Sequence, residues 1–112
     1  MTVLYHPDFP GDIMRHAARY GEVSPKLEAR FLREIDDAIA VIKTGPTGAG
    51  HFINVKAKIV RDVRRRNLVS FPYFILYGLH DDLLIFGSLM PNRSDPLSWL
   101  TRFSPQLNEP KG

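Results

Sequence analysis

Hydrophobic positions change period part-way along this chain. Phe9, Ile13, Ala17 and Tyr20 recur at the spacing of one helix face. Leu27, Phe31, Ile35, Ala38, Ile39 and Ile42 form a second, longer stripe, with Arg30, Arg33, Glu34, Asp36 and Asp37 off it. Start and stop signals bracket both runs. Asp8 can cap the first helix, with Pro10 in its first turn and Gly21 at its end. Ser24-Pro25 opens the second, Glu28 places negative charge near its positive end, and Gly45-Pro46 stops it. About 19 residues of helix would span roughly 28 Å. The short link between the two predicts an antiparallel hairpin.

Strand signals lie on either side. Val3 to His6 reads as a short strand stopped by Pro7. Residues 44–55 are glycine-rich and read as a flexible connector. Ile59, Arg61, Val63 and Arg65 then alternate, as in a half-exposed strand, and Asn67 reads as a turn. Leu68 to Tyr77 is rich in aromatic and β-branched residues. Gly78 to Asp82 reads as the next turn, and Leu83 to Met90, apolar on both faces, as a central strand. The predicted class is α+β, in the order β-α-α-β-β-β, with a helix hairpin packed on an antiparallel sheet. Asp95-Pro96 caps a short C-terminal helix to about Phe103, with Leu97, Trp99 and Leu100 available for packing. Pro72 conflicts with this pattern, because proline cannot donate to a strand ladder. Its strand must be bulged there or lie at an edge.

Composition narrows the picture. The chain has 112 residues, 44% of them hydrophobic and 24% charged. That is the balance and size of one globular domain, which buries roughly 65% of its unfolded surface. There are no cysteines, which excludes disulfides, thiolate zinc sites, iron–sulfur ligation and cysteine nucleophiles, and fits a reducing cytoplasm. The N-terminus lacks the pattern of a signal peptide, and the longest apolar stretch, Leu83 to Met90, is far short of the roughly 20 residues that cross a bilayer. These features predict a cytoplasmic protein without a membrane partner.

Charge is distributed unevenly. The formal net charge is +3. Residues 1–55 carry a net −1 and residues 67–112 a net −1, so residues 56–66, KAKIVRDVRRR, carry +5. On a strand, Arg61 and Arg65 share one face, and Arg64 and Arg66 the other. Such a segment is either a solvated edge strand protected by its charges or a binding surface for phosphate or acidic protein.

Other chemistry is weaker. The loop Gly45-Pro46-Thr47-Gly48-Ala49-Gly50 is followed by His51 rather than Lys-Ser/Thr, and by a strand rather than a helix, so it is not a P-loop. His6, His16, His51 and His80 show no metal-ligand spacing, and no metal or cofactor is expected. His51 is either a solvated loop residue or an acid–base group, if the loop folds over a site. Asp36-Asp37 and Asp81-Asp82 are surface charge, because sequence neighbours point in different directions. Tyr77, at the end of its strand, can donate a proton, stack on a base or simply pack. Arg93 follows the central strand, where sites often form.

Four stretches together carry a family resemblance. They are Tyr5-His6-Pro7, Ser24-Pro25, Val63-Arg64-Arg65 leading into Phe71-Pro72-Tyr73-Phe74-Ile75-Leu76-Tyr77, and Arg93-Ser94-Asp95-Pro96 with Trp99. With this order of elements, the chain resembles the ParE/RelE superfamily of type II toxins over about residues 3–103. The resemblance implies a single toxin domain over 1–112, a central strand that accommodates Pro72, and a cognate antitoxin bound in a hetero-oligomer. It leaves the target open between DNA gyrase, blocked by ParE-like members, and the ribosome with its mRNA, cut by RelE-like members. A third reading is a detoxified remnant acting with its antitoxin as a regulatory complex. The residues expected to bind target or antitoxin are Lys58, Arg61, Arg64, Arg65, Arg66, Tyr77 and Arg93. Many relatives carry a histidine just after the last strand, where this chain has Leu89-Met90-Pro91. A nucleolytic mechanism would then need Lys56, Lys58, His51 or a residue folded in from elsewhere as its base, because arginine does not readily accept a proton. That shifts the expectation toward a ParE-like, non-nucleolytic role.

Overall fold

The computed structural model describes residues 1–53, 62–96 and 102. Its elements are β1 (Thr2–Tyr5), α1 (Phe9–Gly21), α2 (Pro25–Thr44), β2 (His51–Ile53), β3 (Asp62–Asn67), β4 (Tyr73–His80) and β5 (Leu83–Pro91). Two helices pack on a five-stranded sheet of order β1-β5-β4-β3-β2. All neighbouring strands are antiparallel except β1, which runs parallel to β5. The α+β hairpin-on-sheet architecture expected from the sequence is the one observed.

The helices form for the expected reasons, with one exception. Ser24 Oγ accepts from the backbone N–H groups of Lys26 and Leu27 at 3.1 and 3.3 Å, a true N-cap. Asp8 occupies the N-cap of α1, but its side chain makes no cap bond. Instead, the Asp8 N–H donates to Nδ1 of buried His6 at 3.1 Å, so the histidine shapes the entry to α1. Phe31, Ile35, Ala38 and Ile42 of α2 are buried and Leu27 and Ile39 partly so, as the stripe requires. On α1, Asp12 and His16 are buried beside Phe9 and Ala17.

The sheet differs from the predicted meander at three places. The glycine-rich connector ends in an additional strand, β2, whose residues His51, Phe52 and Ile53 face Arg65, Arg64 and Val63. Three residues give no period to read, so this edge was not legible as a strand. The hairpin from β4 to β5 turns at Asp81-Asp82, not over Gly78 to Asp82. Gly78, Leu79 and His80 are paired, and Asp81 takes φ 52°, a left-handed conformation that aspartate tolerates. Finally, β4 starts at Tyr73, so Pro72 precedes the ladder. The Leu68 N–H donates to the Tyr73 carbonyl to close the β3–β4 loop, and the Pro72 carbonyl accepts from the Asn92 N–H. Proline's missing donor is therefore never needed.

Register then sets which side chains face the helices. Tyr5, Phe86, Tyr77, Arg64 and Phe52 are successive cross-strand partners across all five strands. The Tyr5 and Phe86 rings stack at 5.1 Å, Tyr77 lies 6.4 Å from Phe86, and the Arg64 guanidinium lies 5.7 Å from the Phe52 ring. Tyr73, Ile75, Tyr77, Leu84, Phe86 and Leu89 join the helix-side core. Val63, Phe74, Leu76, Ile85 and Met90 form a second buried cluster on the opposite face. A bulge at Gly87, skipped between the Leu76–Ser88 and Tyr77–Phe86 pairs, interrupts β5. Beside it, Asp12 accepts from the Leu89 N–H at 3.1 Å and from Arg102 Nη1 at 2.7 Å, while Arg102 also donates to the Gly87 carbonyl at 2.8 Å. No helix among the described residues is long and apolar enough to cross a membrane. The expected C-terminal helix lies mostly outside the described residues.

Candidate binding surface

Arginine side chains on β3 point to both sides of the sheet, and their partners differ. Arg64, on the helix side, pairs through Nε with Asp62 at 2.8 Å and donates from Nη1 to the carbonyls of Thr47 (2.9 Å) and Gly50 (3.4 Å). Arg66, on the same side, donates to the Ala49 carbonyl at 2.8 Å. Tyr77 is fully buried, and its hydroxyl donates to the Pro46 carbonyl at 2.6 Å. Burial pushes that hydroxyl's pKa up, so it stays protonated. Three side chains thus hold the carbonyls of Pro46, Thr47, Ala49 and Gly50 onto the sheet. Gly50 has no room for more: a Cβ there would lie 2.6 Å from the Arg65 carbonyl oxygen and 2.8 Å from the Tyr77 hydroxyl. The flexible connector expected from the sequence is a fastened loop.

This changes the meaning of the basic cluster. Arg64 is largely occupied by its internal partners, and Tyr77, expected at the surface site, lies in the core as a loop anchor. Arg65 is different. It points to the opposite face with Val63, and its guanidinium stacks on the buried Phe74 ring at 3.7 Å. Its Nε donates to Asn67 Oδ1 at 3.0 Å. Burial lowers its pKa from the ordinary arginine value, and it remains a cation. Arg93 is exposed in the turn after β5, separated from β3 by β4. Lys56, Lys58 and Arg61 lie outside the described residues.

Clefts surround these groups. One of about 410 Å³ lies between α2 and the β3–β4 loop, lined by Arg30, Arg33, Asp37, Val41, Arg66 and Val69 among others. Glu34 on its wall is occupied: it accepts from the Val69 N–H, and from the Ser70 N–H at 3.0 Å. A second, of about 420 Å³, runs past Ala40, Gly45 and Gly48 to Arg66. A third, of about 250 Å³, is lined by Gly48 to His51 and Arg65 to Asn67. Arg66 borders all three. His51 was legible as a loop histidine that could serve as an acid–base group if the loop folded over a site; the β2–β3 register, which no local pattern encodes, sets it directly opposite Arg65. No group of acidic and histidine side chains among the described residues could hold a metal ion.

The architecture has a solved counterpart. A chain from the chromosomal ParDE TA system of P. aeruginosa superposes with a TM-score of 0.66, over 81% of this chain and 95% of that one. The two share a fold. Their sequences are 13% identical. No protein-family model and no curated protein matches the chain. The expectation drawn from the motif series therefore agrees with the structural comparison in architecture.

Proposed function

We propose that this chain is the toxin component of a type II toxin–antitoxin pair, and that it acts by binding its target, DNA gyrase. The observation that carries the reading is the likeness in fold to a ParDE-system chain over 95% of that chain's length. A cognate antitoxin neutralises the toxin in a hetero-oligomer, and the basic surface of β3 with Arg93 is the natural meeting place for an acidic partner. The same role is proposed for Lys58 and Arg61 from their place in the basic sequence segment 56–66. The end of β5 supplies no proton acceptor, because Met90 is buried and Pro91 closes the strand.

One observation favours the second reading, a ribosome-dependent endoribonuclease. His51 sits across from Arg65, so an imidazole, the side chain most often used for general acid–base catalysis, adjoins a cation able to hold a phosphate. The two readings separate in one experiment. Expression is induced in growing cells, and gyrase-linked DNA breaks are scored beside mRNA cleavage within codons. The gyrase reading predicts breaks without cleavage; cleavage without breaks reverses the order of the two.

A further inference from the structure

The two edges of the sheet are protected unequally. At one edge, β2 is only three residues long and lies against Arg64 and Arg65 of β3. Shortness and charge both discourage a further strand from adding there. At the other edge, β1 is Thr2-Val3-Leu4-Tyr5, with no charged side chain, no proline and an unbroken register against β5. That register fixes which backbone groups are in use. The Thr2 N–H donates to the Asp82 carbonyl and the His6 N–H to the Phe86 carbonyl, both at 2.8 Å. Thr2, Leu4 and His6 therefore turn their backbone groups toward β5, and Val3 and Tyr5 turn theirs outward, without a backbone partner among the described residues. The side chains on this edge are apolar and open: Leu4 is 41% exposed and Tyr5 46%. The Tyr5 ring is already fixed by its stacks on Phe9 and Phe86.

We propose that β1 is a dimerisation edge whose occupant is β1 of a second copy of this chain, antiparallel about a two-fold axis at Leu4. The outward groups are self-complementary in that register. Val3 faces the partner's Tyr5 and Tyr5 the partner's Val3, and each pair exchanges two N–H to carbonyl bonds. Leu4 meets the partner's Leu4 on the face that carries Ile85, while Tyr5 packs on the partner's Val3 on the helix side. With no charge on the strand to select an unlike partner, hydrogen bonding and apolar fit decide, and β1 itself meets both. Pairing also closes after two chains, because each copy has one such edge. The basic strands do not oppose it. Seven strand spacings separate β3 of the two copies, roughly 34 Å, more than three Debye lengths at about 0.1 M salt. The exposed acids Asp8 and Asp82 lie near opposite ends of β1, so the two-fold turns Asp8 toward the partner's Asp82, a repulsion that salt screens. Four residues of strand bury less than the 1,600 Å² of a standard interface, so a weak dimer is expected, with a Kd between about 10 µM and 1 mM. The proposal stands independently of the gyrase and toxin readings, since it concerns only how this chain meets itself.

The test is sedimentation velocity of the purified chain from about 10 µM to 1 mM at low and high sodium chloride, with amide hydrogen exchange read at both ends of that range. A monomer–dimer equilibrium that stops at two chains and tightens with salt is expected. In the exchange measurement, the Val3 and Tyr5 amides should slow several-fold as the dimer forms, while the Leu4 amide, already turned toward β5, should not change. Leu4→Lys sets two ammonium groups against each other at the axis and should weaken the dimer at least about tenfold. Because the exchange map uses the unsubstituted chain, it decides the matter even where Leu4→Lys folds poorly. A chain still monomeric at the highest concentration overturns the proposal. So does association that leaves Val3 and Tyr5 exchange unchanged, grows beyond two chains or weakens with salt, or a folded Leu4→Lys chain that pairs as before. Val3 and Tyr5 amides protected only in a complex with the co-expressed neighbouring gene product would assign the edge to that partner instead.

Discussion

Asp12 offers a sharp test of how this fold is held together. Asp12 is 2% exposed, and donors from three residues surround its carboxylate. Arg102 Nη1 approaches at 2.7 Å, the Leu89 N–H at 3.1 Å and Arg15 Nη2 at 3.2 Å. Arg102 is 8% exposed, so the pair is buried and joins α1, the β5 bulge and residue 102. Removing one member of such a pair costs about 3–5 kcal/mol, because the other charge stays desolvated without its counterion. Asp12→Ala also strips the acceptor from Leu89, worth about 1–3 kcal/mol. Since both losses arise at one carboxylate, about 3–5 kcal/mol in total is expected for Asp12→Ala, and a similar loss for Arg102→Met. The double variant leaves no buried unpaired charge but orphans the Leu89 N–H and the Gly87 carbonyl, so it should lose about 2–4 kcal/mol, well below the sum of the two single losses. Urea denaturation midpoints at constant slope read all three values. Asp12→Asn keeps an acceptor for Leu89 and serves where Asp12→Ala is too unstable to measure. Losses that add within about 0.5 kcal/mol would refute the pairing as the source of the stability.

Other outcomes follow from the loop anchors and the buried histidines. Tyr77→Phe should cost about 1 kcal/mol, one net hydrogen bond to Pro46, and leave growth inhibition intact; loss of inhibition at unchanged stability would make Tyr77 a functional rather than an anchoring group. Gly50→Ala should cost about 1–3 kcal/mol and shift the amide signals of residues 46–50, since the new methyl meets the Arg65 backbone; a neutral substitution contradicts the close approach. His6 and His16 both have pKa values below the ordinary 6.5, first through burial, with Arg102 adding to it for His6 and Arg15 and Arg19 for His16. The unfolded chain therefore takes up protons before the folded one. Stability should be full above about pH 6.5 and fall as pH drops through the lowered values. Nδ1 of His16 has no hydrogen-bond partner among the described residues, so His16→Phe should flatten that fall; an unchanged profile places its origin elsewhere.

The helices were legible because their burial is periodic: the Phe31–Ile42 stripe, the Ser24 cap and the Gly45 stop all act within a few residues. The β3–β4–β5 order was legible for the same reason. What was not legible depends on register or on long separation. β2 is three residues long and exists because β3 offers it an edge. Asp12 lies close to the apolar face of α1, and the partner that explains its burial, Arg102, is 90 residues away. The segment 56–66 reads as uniform positive charge, yet among its described arginines Arg64 is consumed by the loop while Arg65 keeps its fork. Composition counts charges; the structure shows which of them are already spent. His51 was the reverse case, a candidate acid–base residue whose neighbour, Arg65, is set only by the strand opposite.

The central claim, that this chain is a toxin held in check by a partner, is most directly tested by inducing its expression alone and together with the product of any small reading frame adjacent to its gene. Growth is followed over the first hours. Arrest on expression alone, with gyrase-linked DNA breaks and full relief by the neighbouring product, is the predicted result. Normal growth of cells that contain the folded chain, with no neighbour present, would contradict it.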